Sequence, residues 1–87
     1  MRYQWDHKKH TDNVQKHGVW FSEAEAFEWD SAIVKHDERP YDETRFQTIG
    51  YIEERLYVMV FCLRETSIRI ISLRKANRRE VREYAET

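Results

Sequence analysis

The sequence predicts an α+β domain, an antiparallel three- to five-stranded sheet packed with two N-terminal helices and one C-terminal helix. Three observations carry that reading. Residues 55–63 (RLYVMVFCL) are apolar at both alternate sets of positions, as suits a strand covered on two faces at a sheet centre. The stretches on either side, 45–53 and 68 onward, alternate with period two and are set off by short turns at Glu53-Glu54 and 64–67. Helical spacing with readable ends lies outside this block, before it and after it.

Taken in order, Tyr3 and Trp5 form a short strand or extended lead-in that ends at Asp6, a good N-cap. Residues 7–17 then read as a helix stopped by Gly18. Val14 is its only aliphatic residue; His7, His10, Val14 and His17 share one face, and Lys9, Asn13 and Lys16 another. Ser22 is expected to cap a second helix over 23–29, with Glu25 completing a capping box. Residues 33–36 suit a short strand. The stretch 37–44 (DERPYDET) holds the only proline and reads as a surface loop. After the three sheet segments, Val81, Tyr84 and Ala85 supply the apolar face of a final helix beginning at Asn77. No repeat or linker divides residues 1–87, so a single domain is expected.

At 87 residues with 40% apolar and 14% aromatic content, the chain can fill one modest core, burying about 60% of its unfolded surface. Aromatic and β-branched residues throughout argue against disorder. One cysteine, Cys62, excludes an internal disulfide and suits a reducing compartment. No apolar run approaches membrane-spanning length and MRYQWDHKKH is not a signal peptide, so a soluble, cytoplasmic chain without a membrane partner is expected.

The net charge of −1 hides an asymmetry. Residues 64–82 carry seven cations (Arg64, Arg69, Arg74, Lys75, Arg78, Arg79 and Arg82) against Glu65 and Glu80, whereas 22–54 carry ten acids against Lys35, Arg39 and Arg45. Either the two regions form opposed surfaces, the basic one able to meet phosphate, or they face each other within the fold.

Three blocks resemble a known family. WDHKKHTDNVQKHGVWF (5–21) is similar to the opening pattern of the BrnT toxins, W-D-x-x-K-x-x-x-N-x-x-K-H-G-V-x-F, matching at Trp5, Asp6, Lys9, Asn13, Lys16, His17, Gly18, Val19 and Phe21. Glu43-Thr44-Arg45-Phe46 with Ile49-Gly50 resembles its E-x-R-F-x-x-I-G segment, and RIISLRKANRREVREY (69–84) its closing R-I-I-S-x-R-x-A-x-x-x-E-x-x-x-Y. His7 stands where relatives commonly have proline, a replaceable residue at that helical position. The resemblance implies a type II toxin of the RelE/ParE group, a small ribonuclease that cuts RNA and arrests translation. It also implies a cognate antitoxin with a ribbon-helix-helix DNA-binding domain. Toxin and antitoxin together would repress their own operon, so operator DNA would be met only through that complex.

RNA cleavage without metal needs a base for the 2′-hydroxyl, an acid for the leaving 5′-oxygen, and cations to offset charge on the phosphorane. Arginine suits the last task, because its planar fork holds two phosphate oxygens and its charge never titrates away. Arg69 and Arg74 are the leading candidates, yet in one continuous strand they would face opposite ways unless the strand bends near Ser72. Lys9, Lys16, Arg45, Arg64, Arg78 and Arg79 are candidates for holding the RNA backbone.

His17, Glu43, Lys9 and Tyr84 are candidates for proton transfer. His17 ends a helix whose dipole favours the imidazolium, although histidine before glycine is also ordinary capping. Glu43 has a default as a salt bridge with Arg45, and Tyr84 as a core aromatic. His17 lies about 10 Å along the helix from His10, too far for one zinc to join His7, His10 and His17. No cofactor and no metal is expected. The competing class is a non-catalytic module whose basic face docks RNA or an acidic protein. A homodimer of the free chain stays open.

Overall fold

The computed structural model describes residues 2–40 and 42–87. Along the chain come β1 (Tyr3–Trp5), α1 (His7–His17), a 3₁₀ segment (Phe21–Ala26), β2 (Ile33–Asp37), β3 (Arg45–Ile52), β4 (Arg55–Arg64), β5 (Ser67–Lys75) and α2 (Arg78–Ala85). The strands form one sheet in the order β1-β5-β4-β3-β2, with the doubly apolar β4 in its middle. Tyr41, in the loop expected over 37–44, lies outside the described residues. Among the described residues no helix is long and apolar enough to cross a membrane.

Two features of the expected fold need correction. The sheet is mixed, because β1 runs parallel to β5, pairing Tyr3 with Ile68 and Trp5 with Ile70. The β3–β4 and β4–β5 connections are two-residue hairpins that force antiparallel pairing. No hairpin ties β1 to β5, so its direction is free.

The second N-terminal helix is instead the 3₁₀ segment, and it starts earlier than Ser22 predicts. The Trp20 N–H donates to the Glu23 carboxylate at 2.9 Å, and the Glu23 N–H donates back to the Trp20 carbonyl at 3.0 Å. Phe21, Ala24 and Phe27 are all buried, a spacing of three that suits the eclipsed faces of a 3₁₀ turn better than an α-helix. Phe27 already lies outside the segment, bridging to Ile52, and its ring crosses Gly50 so closely that a Cβ there would sit 2.6 Å from it.

Most of the core lies on this face of the sheet. Phe21, Met59, Ile70 and Leu73 are fully buried among Val19, Phe61 and Ile68, with Trp5, Trp29 and Phe46 packed at the margins. The other face holds a smaller cluster of Leu56, Val58 and Ala76 with Ile49, Tyr51 and Tyr84, beneath α2.

The polar helix α1 is tied down by Asn13. Asp6 caps its start by accepting from the Lys9 N–H, and Gly18 closes it in the left-handed region at φ 70°. Strand β1 ends at Trp5, leaving the upper edge of β5 without a neighbouring strand. There the buried Asn13 carboxamide donates to the Leu73 carbonyl at 2.7 Å and accepts from its N–H at 3.1 Å, as a peptide of one more strand would. It also donates to the Val19 carbonyl at 3.0 Å. Three buried backbone groups that would otherwise be orphaned are thus satisfied by one side chain.

Helix α2 meets the sheet through only part of the stripe that its apolar spacing suggests. Val81 is 40% exposed and Ala85 is exposed, and no residue of the helix is fully buried. Tyr84 faces inward as its spacing suggests, its hydroxyl donating to the Ser31 carbonyl at 2.7 Å, and Glu80 joins it by gripping Arg74.

Candidate nucleic-acid interface

The bend on which the two leading arginines depend is present. In β5, Ser72 pairs with Val60 and Ile70 with Phe61, so Ile71 is an extra, unpaired residue: a β-bulge. Ile68 and Ile70 point into the main core before it and Leu73 after it, which resets the alternation. Arg69 and Arg74 therefore share the opposite face. The pairing register adds Arg45 and Arg64 to that face, with Lys35 on edge strand β2.

Helix α2 covers one end of this face and leaves the other open. The buried Cys62, paired with Arg69, forms part of its floor. A groove of about 290 Å³ runs beneath α2, with Ile33, Ile49 and Val58 at its base and Lys35, Arg79 and Glu83 at its rim.

The cations differ in what holds them. Glu80 takes Arg74 bidentately, at 2.8 and 2.9 Å, while also accepting from the Asn77 N–H at 2.9 Å. This pairing holds the Glu80 carboxyl below its usual range, against the opposing effect of partial burial, and raises Arg74 further. Arg64 meets Glu43 at 2.7 Å, so the partner of Glu43 is Arg64 rather than the expected Arg45. Arg69 donates to the neutral Gln4 carbonyl oxygen at 3.1 Å and keeps its full charge. Arg79 lies 3.7 Å from Glu83 with both side chains exposed, a weak pair.

Arg78 belongs elsewhere, beside Tyr51 and Val81 on the far flank of α2. Of the acidic stretch, Glu43 reaches the basic one; Asp37 is held to a pKa of about 2 first by the Arg39 guanidinium, within the acidic stretch itself.

His17 is partly buried at the end of α1, near Arg74. Burial, then Lys16, then Arg74 lower its pKa from the ordinary histidine value. The helix dipole was expected to favour the imidazolium; desolvation and two cations outweigh it, and the neutral imidazole prevails at neutral pH. Lys16 and Lys9 are exposed on the same helical stripe as Asn13.

Glu43 is not near this group. Its partner Arg64 pairs with Ser67, and Arg74 lies a further seven residues along β5, roughly 20 Å at strand rise. Tyr84 sits over β2 and β3 with its hydroxyl proton committed to Ser31. The fold thus gathers His17, Lys16 and Arg74 at one end of the basic face, and Arg45, Arg64, Arg69 and Glu43 toward the other.

His10 lies apart from His17, boxed by Trp5, Trp20 and Phe21 with ring centroids 5.2–5.7 Å away. Sequence reasoning passed over Gln4 and Glu80, which orient the two leading arginines. Gln4 was legible in part, since alternation along β1 sets it opposite Tyr3 and Trp5. Glu80 was legible in part, since it stands at the E of the closing R-I-I-S-x-R-x-A-x-x-x-E-x-x-x-Y pattern, three residues after Asn77.

A family model described as "Ribonuclease toxin, BrnT, of type II toxin-antitoxin system" matches residues 5–80. No curated protein matches the chain significantly.

Proposed function

Because the chain belongs to the BrnT ribonuclease toxins of type II toxin–antitoxin systems, we propose that it cuts RNA without metal, by acid–base transesterification across the bulged face of its sheet. The observation that carries this reading is the bulge at Ile71, which turns Arg69 and Arg74 to the same face of the sheet, Arg74 at the end beneath α2 and Arg69 toward the open, cation-lined end. The RNA backbone lies along that surface, held by Arg45, Arg64 and Arg69. Arg74 offsets charge on the phosphorane, oriented by Glu80.

The neutral His17 imidazole takes the 2′-hydroxyl proton as the 2′-oxygen attacks phosphorus. The bond to the 5′-oxygen breaks, a 2′,3′-cyclic phosphate forms, and the departing alkoxide takes a proton from the Lys16 ammonium. Water then returns both side chains to their starting states. Glu43 and Tyr84, distant and engaged, serve as structural residues in this scheme.

The antitoxin partner of this family would carry a ribbon-helix-helix domain, and the complex would repress its own operon. That part rests on the resemblance of the three sequence blocks.

Purified protein incubated with RNA, with and without EDTA, tests the proposal. Cleavage that survives EDTA, with a cyclic-phosphate end, supports it; cleavage abolished by EDTA puts a metal in the mechanism. A second reading has its own support, since Arg74 and Arg64 are each paired with a carboxylate, as suits a surface that docks without reacting. Retention of RNA without cutting would establish it. Arg69→Ala and Arg74→Ala should each slow cutting at least tenfold per folded molecule. Arg39→Ala, outside the face and held by Asp37, should leave it within twofold.

A further inference from the structure

The far end of the basic face holds a polar hollow of about 370 Å³ lined by Arg2, Gln4, Arg64, Glu65, Thr66 and Ser67. Arg2 is placed there by β1: its carbonyl accepts from the Ile68 N–H at 2.8 Å, and alternation puts Arg2 and Gln4 on the same side as Arg69. Gln4 works in two directions, accepting from Arg69 and donating to the Ser67 hydroxyl oxygen. Among the described residues Arg2 has no carboxylate within ion-pair distance, and Arg69 is met by a neutral group. Two guanidinium groups (Arg2 and Arg64) therefore line the hollow, with Arg69 held behind Gln4, against Glu43 and Glu65 and beside the Thr66 hydroxyl.

We propose that this hollow is a second phosphate-binding subsite, centred on Arg2 with Arg69 held next to it by Gln4, which takes a phosphodiester of single-stranded RNA several nucleotides from the cut. The inference rests on the reading of the bulged face as the RNA surface. The distance from this end to Arg74 is roughly 20 Å along β5. That suits the smallest single-strand footprints, about four nucleotides. A short fragment lying at His17 and Arg74 cannot reach Arg2; a longer strand reaches both.

The test reads binding, so it does not depend on cutting. Uncleavable single-stranded oligonucleotides with 2′-O-methyl riboses, two and ten residues long, are titrated into the full chain and into Arg2→Ala over a range of salt. For the ten-mer, Arg2→Ala should weaken binding several-fold and reduce the slope of log affinity against log salt by about 0.7, the value of one phosphate contact on a single strand. Dinucleotide binding should be unchanged, as should the melting temperature, since Arg2 is exposed. Gln4→Ala, which frees Arg69 from its neutral tether, should show the same dependence on length. Equal effects on both lengths, or none on either, would overturn the subsite. Length-dependent binding by a chain that cuts no RNA would instead keep the subsite and remove the nuclease reading.

Discussion

Asn13 carries more of the fold than any other polar side chain, because one carboxamide stands in for a missing strand. Asn13→Ala would leave the Leu73 N–H and carbonyl and the Val19 carbonyl buried without partners. The loss should be about 2–4 kcal/mol, read as a fall in the denaturation midpoint. Asn13→Asp should not rescue it, because a carboxylate cannot donate to the two carbonyls; a stable Asp variant would sink this account. At His17 the argument is electrostatic. Burial comes first in lowering its pKa, with Lys16 and Arg74 next, so removing either cation should raise it. An NMR titration of the His17 ring in Lys16→Ala should show the midpoint moving up toward the ordinary 6.5. Cutting by the parent chain that depends on neutral His17 should rise with pH through the His17 midpoint. A midpoint unchanged by Lys16→Ala would separate His17 from its proposed neighbours. The role of Asn13 could not be read from its spacing, which placed it on a face with Lys9 and Lys16. Two of the three groups it satisfies belong to Leu73, sixty residues away, on a strand edge that exists only because β1 is short.

At the scale of elements, the bulge in β5 and the anchoring of α2 decide what the basic face can do. Alternation showed that Arg69 and Arg74 could share a face only if the strand bent near Ser72, and Ile71 supplies the bend. The strands and α1 were legible because period and caps agree there. The 3₁₀ segment was not, since Ser22 and Glu25 imitate a capping box while the spacing of Phe21, Ala24 and Phe27 follows three rather than 3.6. Helix α2 was legible only in part: Tyr84 packs inward as its spacing suggests, whereas the Arg74–Glu80 pair leaves Val81 and Ala85 toward solvent. That pair makes the docking of α2 sensitive to acid. The folded Glu80 carboxyl ionises below 4.5, so its contribution is present above the unfolded value and is lost as pH falls through the folded one. Asp37, held to about 2, acts in the same direction over 3.8 to 2. Amide exchange in α2 should therefore accelerate as pH is lowered below about 4.5, after correction for intrinsic rates. Glu80→Gln should exchange faster already at neutral pH and lose most of that dependence. A pH response in Glu80→Gln as steep as in the parent chain would show that some other carboxylate anchors the helix.

At the scale of the whole molecule, the paired acidic and basic stretches admitted two readings, and the fold separates them only in part. Glu43 crosses to Arg64, while Arg74 is satisfied by Glu80 within its own stretch and Arg69 by a neutral amide. A net-charge argument could not have foreseen this, because it does not say which strands become neighbours. What composition did foresee is one modest core: most of it lies on one sheet face, and the other is covered by a helix with no buried residue. Apolar side chains also remain on the surface, with Val34 on edge strand β2 49% exposed and Val81 on α2 40% exposed. An antitoxin that covers such positions binds the folded chain and not the unfolded one, so mass action must stabilise the toxin. At a free antitoxin concentration a hundred times the dissociation constant, the gain is about 2.7 kcal/mol, which for a domain of this size raises the melting temperature by roughly 10–20 °C. Val34→Ser and Val81→Ser leave the buried core untouched and should barely move the melting temperature of the free chain. Whichever side chain lies in the interface should reduce the antitoxin-induced rise when made polar. A melting temperature indifferent to the antitoxin would remove the partner from this account, and a full rise in both variants would place its contact on another surface.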